Sequence, residues 1–279
     1  TVTTGTWTPT PDSFAYSWLR NGTAISGATA ATYVLGNADI GAKISVKVTA
    51  VKAGFTNASA TSAETAAVGA GTFTAGVPTI SGWPAVGSQL TATTGTWTPT
   101  PDSLAFAWLR DGTAISGATA STYTLTSADQ GHLIGIKVTA TKAGFVDASA
   151  TTNLSSTIGA GTFSTSGSAS ISGTAKVGVA VTAVPPTWTP APASYAYQWY
   201  AAGLAISGAT SVSYTPVAVD AAKALTVIIT AHTDGFTDAT ATSAAVTVAA
   251  GTITAATPTI SGTPTVGQTL TAATGTWSP

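Results

Sequence analysis

The sequence predicts an all-β protein built of tandem antiparallel β-sandwiches, about 90 residues per repeat, in an extended array. Three observations carry this. Thr6-Trp7-Thr8-Pro9 returns as Thr96-Trp97-Thr98-Pro99 and Thr187-Trp188-Thr189-Pro190, and nearly unchanged as Thr276-Trp277-Ser278-Pro279. Residues 1–73 align without gaps to 91–163, with 49 of 73 positions identical. A fixed period of this length means one folding unit used repeatedly. Within each period, short apolar/polar alternations are punctuated by Pro, Gly, Asn and Asp, and no stretch has helical periodicity.

The elements follow in order along the middle repeat. Thr79-Ile80-Ser81 is a short first strand, and Gln89 to Thr93 alternates as a half-buried strand. Pro99, Pro101, Asp102 and Ser103 make a loop. Ala105 to Arg110 is the next strand, ended by the hairpin signal Asp111-Gly112, matched by Asn21-Gly22 in the first repeat. Ala114-Ile115-Ser116 returns, and Thr122 to Leu125 is another strand. Asp129-Gln130-Gly131 makes a turn, whose third-repeat counterpart Asp220-Ala221-Ala222 predicts a different turn. Ile134, Ile136 and Val138 then recur at spacing two, as Ile44, Val46, Val48 and Leu225, Val227, Ile229 do, while Lys47 and Lys137 face the other way. The unit closes with Gly144-Phe145 and a strand from Ala148 to Ile158. About seven short strands with turns roughly every 8–12 residues indicate a sandwich.

Composition narrows the functional classes. Apolar residues are 44% of the chain, enough for cores, but charged residues are 7%, against about 25% in ordinary globular proteins. Thr, Ser, Ala and Gly fill the surface, leaving it polar, uncharged and rich in hydroxyls that glycosylation can use. A net charge of −1 gives no basic stripe for nucleic acid. Without Cys, disulfides and thiolate metal sites are excluded. No apolar run approaches the roughly 18 residues of a membrane span, so none is expected in this segment.

One Trp sits mid-strand in each repeat, Trp18, Trp108 and Trp199, and is expected in the core. With the Asp-x-Gly corners at Asp39-Ile40-Gly41 and Asp129-Gln130-Gly131, the repeat resembles an immunoglobulin-like domain without its flanking cysteines. Trp-Leu-Arg-Asn-Gly-Thr-Ala-Ile-Ser-Gly-Ala and Ile-Ser-Gly-Trp-Pro-Ala-Val-Gly are similar to the tandem bacterial immunoglobulin-like repeats of large secreted or cell-surface proteins, especially of actinobacteria. The resemblance covers the whole chain and implies the module. Function is a separate question, because one fold hosts many.

The period divides the chain into an incomplete module at 1–73 lacking its first strand, complete modules at 74–163 and 164–253, and the N-terminal strands of a further module at 254–279. Gly69-Ala70-Gly71-Thr72-Phe73 recurs as Gly159-Ala160-Gly161-Thr162-Phe163 and, weakly, as Ala249-Ala250-Gly251-Thr252-Ile253, and reads as a linker closed by an apolar residue. In an immunoglobulin-like domain the loop after the second strand and the last hairpin turn lie at the pole where the linker arrives. Phe73, Trp97 and Phe145 are therefore expected to form an apolar inter-module joint, and Phe163, Trp188 and Phe236 the next. The alternative is that each Trp packs within its own module.

Catalysis has little to work with. Of ten acidic residues most are singletons in turns, including Asp12, Asp39, Asp102, Asp111, Asp129 and Asp220, and no glycosidase pair is indicated. His132 and His232 have different residues at their repeat equivalents and read as solvated surface groups. No Gly-x-Ser-x-Gly elbow, phosphate loop or dinucleotide fingerprint occurs. Calcium needs roughly six to eight oxygens from clustered carboxylates, and no Asp-x-Asp run exists. Glu64 is the single Glu and is not repeated, against an internal Lys–Asn cross-link. No cofactor, metal or catalytic residue is expected. Trp7, Trp97, Trp188 and Trp277 at regular spacing suit either joint packing or stacking on sugars, and three glycosylation sequons start at Asn21, Asn57 and Asn153.

Residue 1 corresponds to Thr91, inside a module's second strand. The segment 254–279 holds Thr259-Ile260-Ser261 and Gln268 to Ala272, the strands the first module lacks. The tail of one chain is thus expected to fit the head of another by strand addition, unless the 279 residues are a window of a longer array. The expected function is a non-enzymatic structural protein, an extracellular or cell-surface filament or stalk whose partners are neighbouring copies of the module. The alternatives are an adhesin or carbohydrate-binding array on surface glycans, including a phage appendage, or the spacer of a larger secreted enzyme.

Overall fold

A computed structural model describes residues 2–278. The chain divides into two compact units, and the division runs through the second repeat. One unit comprises Thr1–Pro84, Ser88–Leu125 and Gly131–Ile158, the other Ala85–Gly87, Thr126–Gln130 and Gly159–Pro279.

In the first unit, β1 (Ser13–Arg20), β2 (Thr23–Ala24), β3 (Ile44–Val51) and β4 (Ala58–Thr61) form a sheet of order β2-β1-β3-β4. The next repeat supplies β5 (Thr79–Ser81), β6 (Gln89–Thr93), β7 (Ser103–Arg110), β8 (Thr113–Ala114), β9 (Thr122–Thr124), β10 (Ile134–Thr141) and β11 (Ala148–Asn153). They make two sheets, β5-β6-β9 and β11-β10-β7-β8, with β5 lying against β10 and β11. This is an immunoglobulin-like sandwich in which the short fourth strand joins the third rather than the first sheet. The spacing-two pattern fixes which side faces inward. Ile134, Ile136, Val138 and Ala140 of β10, Leu90 of β6 and Trp108 of β7 are completely buried.

The second unit holds β12 (Ser164–Ser166), β13 (Ser170–Ser172), β14 (Val181–Val184), β15 (Thr187–Thr189), β16 (Ser194–Ala201), β17 (Leu204–Ala205), β18 (Ser213–Tyr214), β19 (Ala224–His232), β20 (Ala239–Thr242) and β21 (Val246–Thr247). Its sheets are β13-β14-β18 and β17-β16-β19-β20, with β21 also on β19 and β12 paired with β15. Ala169, Val181, Ala183, Trp199, Leu225, Val227, Ile229 and Val248 form one core. A hairpin of β22 (Thr259–Ser261) and β23 (Thr271–Ala273) follows, with every residue exposed.

Several expectations need correction. The strand predicted from Ala114 to Ser116 stops at Ala114: the Ile115 N–H still donates to the Trp108 carbonyl, but the Trp108 N–H donates to the Ala118 carbonyl instead of returning to Ile115. The strand predicted from Ala148 to Ile158 breaks after Asn153, and Ile158 bonds instead to Gly131 and His132 at the corner before β10. The third corner does not differ: 3-10 turns occur at Asn37–Asp39, Ser127–Asp129 and Ala218–Asp220. There Ala222 takes the left-handed conformation, φ 64°, that Gly41 and Gly131 have in the other repeats.

Trp18 also departs from expectation. Trp108 and Trp199 are fully buried, but Trp18 is only half-buried and lines a cleft with Val2, Trp7, Val46 and Val48. The described residues of the first repeat hold no counterpart of β5 and β6. The local frame of the Trp is nonetheless the same in all three. Its indole N–H donates to the carbonyl of Ala30, Ala120 or Ser211 at 2.9 Å, and it stacks on Tyr33, Tyr123 or Tyr214.

Candidate functional site

Among the described residues no group of three or more His, Asp or Glu is placed to hold a metal ion. The histidines are surface groups, but not solitary ones. His132 Nδ1 lies 2.6 Å from Asp111, and His232 Nδ1 lies 2.7 Å from Asp238 with Asp234 beyond. Asp238 lifts the His232 pKa, and the His132 contact followed by the Leu133 N–H lowers that of Asp111. Exposed pairs of this kind contribute little.

The arrangement that recurs is at the linkers. In the first unit the Gly71 N–H donates to the Gly144 carbonyl and the Val146 N–H to the Gly71 carbonyl, each at 2.9 Å, a parallel bridge from linker to the Gly144-Phe145 turn. Two hydrogen bonds join Thr74 to Thr98. These bonds carry Phe73 between the other two predicted aromatics, 6.0 Å from Trp97 edge-on and 5.4 Å from Phe145. Such ring pairs add about 0.5–1.5 kcal/mol beyond area burial. Gly71 is required by the contact, since a Cβ there would come within 2.5 Å of the Phe145 ring. Trp97 is 5% exposed and its indole N–H donates to the Thr94 carbonyl.

The second unit repeats the assembly with Phe163, Trp188 and Phe236. Phe163 lies 6.0 Å from Trp188 and 5.1 Å from Phe236. Gly161 N–H donates to the Gly235 carbonyl and Thr237 N–H to the Gly161 carbonyl. Two residues upstream in the same linker, the Gly159 carbonyl accepts from Val86 N–H. One three-residue stretch is therefore bonded both to the repeat it leaves and to the repeat it joins. Each turn glycine meets the preceding repeat as well. A Cβ on Gly144 would collide with the Asn37 side chain, and one on Gly235 would come within 2.9 Å of Ser127 Cα.

The structure thus brings all six predicted joint residues together in two triads. It removes Trp97 and Trp188 as sugar-stacking platforms, because their rings are buried. Of the described indoles, Trp83 is 75% exposed and Trp277 49%; at the position of Trp83 the other repeats have Thr174 and Thr263.

Sequence reading missed the role of the corner aspartates. Asp39, Asp129 and Asp220 are buried, and each accepts the N–H of the residue three before it, at 2.7, 2.8 and 2.9 Å. Asp39 also accepts from Tyr33 and Arg20, and Asp220 from Tyr214. Burial pushes the Asp39 carboxyl up, but the Gly36 N–H, Arg20 and Tyr33 bring it below its ordinary value. Burial and then Asp220 push Tyr214 up to about 12. The missed signal was a Tyr six residues before the corner Asp in every repeat. Asp12 and Asp102 are ion-paired with Lys52 and Lys142, where the third repeat has Ala193 and Thr233.

No family model matches this chain, and no curated protein does. Among solved structures it is similar to a Ca2+-stabilized adhesin that helps an Antarctic bacterium reach out and bind ice, at 16% identity and TM-score 0.30, over 91% of this chain and 69% of that one. It is also similar to three N-terminal domains of the bacteriophage RB49 highly immunogenic outer capsid protein (Hoc), at 16% identity and TM-score 0.25, over 86% and 90%. Tandem Ig repeats of Dlar match at 15% identity and TM-score 0.21, over 63% and 99%.

Proposed function

We propose that this chain is a non-enzymatic structural array of immunoglobulin-like modules, at 1–73, 74–163, 164–253 and 254–279, that serves as an extracellular or cell-surface filament or stalk. The observation that carries the reading is the joint. Each linker glycine is built into the following repeat by a parallel bridge and locked by an aromatic triad, twice over. A chain whose linkers only tethered independent binding modules would not need glycines in ring contact. Stability in such an array is close to a sum of module and joint terms. The hydroxyl-rich, nearly uncharged surface suits a hydrated exterior. Small-angle scattering of the 279-residue chain and of Trp97→Ala tests the joint. The reading expects a wider spread of conformations in the variant, and identical curves would remove it.

The partner in this reading is another module of the same kind. The cleft beside Trp18 lies where the second repeat has β5 and β6. The exposed β22–β23 hairpin carries the same Thr-Ile-Ser and Leu-Thr-Ala residues. A hairpin of that sequence fits the cleft by strand addition, from a neighbouring repeat or a second copy. Mixing a fragment lacking 254–279 with one lacking the first repeat separates the two sources: association supports the second copy, and its absence removes the head-to-tail mode. Exposed Trp83 favours a second reading, an adhesive array on glycans. A glycan-binding screen with Trp83→Ala as control decides that one.

A further inference from the structure

Gly-Phe turns occur at Gly54-Phe55, Gly144-Phe145 and Gly235-Phe236, and all three are built alike. The turn glycine takes φ 78°, 83° and 80°. The Phe N–H closes the turn on the carbonyl of Lys52 at 3.1 Å, and on those of Lys142 and Thr233 at 3.0 Å. The facing indole is held alike in the first two repeats, Trp7 by the Thr4 carbonyl and Trp97 by that of Thr94. The first repeat thus presents the same two arms, one ring on a turn and one on a loop, already in place.

The difference lies between the arms. The Gly144 carbonyl and Val146 N–H hold Gly71, and the Gly235 carbonyl and Thr237 N–H hold Gly161. Their counterparts in the first repeat, the Gly54 carbonyl and the Thr56 N–H, make no hydrogen bond among the described residues. Phe55 is 59% exposed, whereas Phe145 and Phe236 lie 5.4 and 5.1 Å from a linker ring and are half-buried. An open cavity of about 170 Å³ runs between Trp7 and Phe55, walled by Thr8, Pro9, Ala50 and Ala58. An apolar cavity of about 150 Å³ takes a benzene ring, so a phenyl side chain fits here. Lys52 at the rim is paired with Asp12, which turns the site toward an apolar ligand and away from an anion.

The two engaged turns define what the open one can take. In Gly71-Thr72-Phe73 and Gly161-Thr162-Phe163 the glycine exchanges two backbone bonds with the turn. The Phe, two residues on, enters between the rings. Glycine is selected because a Cβ would come within 2.5 or 2.6 Å of the turn's ring. The Thr between them is exposed in both, so its identity is unconstrained. Backbone bonds supply the docking and one pocket the selectivity, as where a peptide adds to an exposed edge. Arms that are set beforehand lower the ordering cost of binding.

We infer that the pole of the first repeat formed by Trp7, Gly54, Phe55 and Thr56 is a peptide-binding socket for an extended Gly-x-Phe segment, the linker of another module of this kind. This site rests on the reading of the two triads as inter-module joints. It deepens that reading by opening the contact to a segment on a separate chain, chosen by one glycine and one ring. The bound glycine gives its N–H to the Gly54 carbonyl and accepts from the Thr56 N–H, and its Phe fills the cavity.

The test is a titration of the full chain with the capped peptide Gly-Ala-Gly-Thr-Phe, followed by amide resonances and hydrogen exchange. The Thr56 amide is expected to shift saturably and to exchange more slowly. The Val146 and Thr237 amides, already bonded to Gly71 and Gly161, stay unchanged. A short flexible linker supplies roughly millimolar effective concentration, so a dissociation constant of about 1 mM or below makes the contact relevant in an array. Replacing the second glycine or the Phe of the peptide by alanine is expected to weaken binding at least about tenfold. Phe55→Ala in the full chain should abolish it without unfolding, because that ring is mostly exposed. No saturable shift at Thr56 up to about 10 mM peptide overturns the socket, as does equal binding by either alanine peptide. Equal binding by an unrelated aromatic peptide lacking the glycine also overturns it, leaving a general apolar patch. Scattering of Trp97→Ala decides the array separately. Unchanged curves with a bound peptide remove the array and keep the socket, whereas a loosened variant with no peptide bound keeps the array and removes the socket.

Discussion

The two proposed joints use the same three aromatic types but support them differently. At the first, Trp97 gives its indole hydrogen to Thr94, the linker makes a single bridge to the Trp loop, and Asp102 and Lys142 pair between the start of β7 and the end of β10. At the second, Pro185 and Pro186 stand where the first has Thr94 and Gly95, and the buried Trp188 N–H has no acceptor among the described residues. There the linker continues as β12 and makes a three-residue ladder with β15, and Thr233 replaces the ion pair by bonding Ala193. Backbone pairing at one joint stands in for side-chain bonds at the other. The parts common to both are the linker glycine, the Gly-Phe turn and the aromatic triad.

The largest expected effect is common to both sites. Trp97→Ala and Trp188→Ala should each cost about 3–5 kcal/mol, the range for deleting a large buried aromatic. Hydrogen exchange in the full chain should show faster exchange at the affected linker and its Gly-Phe turn alone. Loss confined to the Trp-bearing loop would mean that each Trp merely packs within its own module.

The glycines should separate the joints. The three atoms nearest a Cβ on Gly71 all belong to the Phe145 ring, but a Cβ on Gly161 meets both the Phe236 ring and the Val86 carbonyl at 2.6 Å. A ring can tilt and a backbone carbonyl cannot. Overpacking typically costs about 1–3 kcal/mol, and Gly161→Ala should lie at the upper end with Gly71→Ala below it. Calorimetry of the two variants ranks them, and the reverse order would contradict the contact geometry.

A smaller difference comes from the indole hydrogens. Trp97→Phe loses a made hydrogen bond and should cost about 1 kcal/mol for that bond more than Trp188→Phe, which removes an orphaned buried donor. Chemical denaturation of the two variants gives the comparison, and equal losses would mean that Trp188 has an acceptor after all.

The smallest effect is pH dependence. The His232 pKa is raised by Asp238, so its pairing is fully present below about pH 6.5 and is lost as pH rises through the raised value. The Asp102 pKa is lowered by Lys142, so that pair persists at neutral pH and is lost as pH falls through the lowered value, below the ordinary carboxylate range. Protection from exchange at the 232–238 turn, taken relative to the intrinsic rate at each pH, should therefore fall slightly between about pH 6 and 8, while that of the 141–147 turn stays constant. His232→Gln should abolish the change.

Much of this was legible in the sequence. The spacing-two runs placed β3, β10 and β19 because one face of each is apolar and buried while the other carries mostly Thr, Ser or Lys, with Gly135 and Ile228 among the exceptions. The clustering of the six aromatics was legible because linker, loop and turn recur with the same period. Trp18 was misjudged because burial depends on strands that its repeat, as described, does not contain. The break after Asn153 was hidden because Ser and Thr lie on both sides of it and no Gly or Pro between Ala148 and Ile158 marks the place where the backbone changes partners. The parallel bridges involve single residues and leave no periodic trace. Ala222 shows the limit of residue type as a guide: the corner is held by the buried Asp220, strongly enough to keep an alanine at positive φ.

The most direct test of the account is a distance distribution across the first joint. Spin labels on Thr23→Cys and Thr113→Cys, both exposed hairpin positions, report it in the otherwise Cys-free chain. The account predicts one narrow distribution that broadens in Trp97→Ala. A broad distribution in the unaltered chain would contradict it, leaving the repeats as beads on a flexible string.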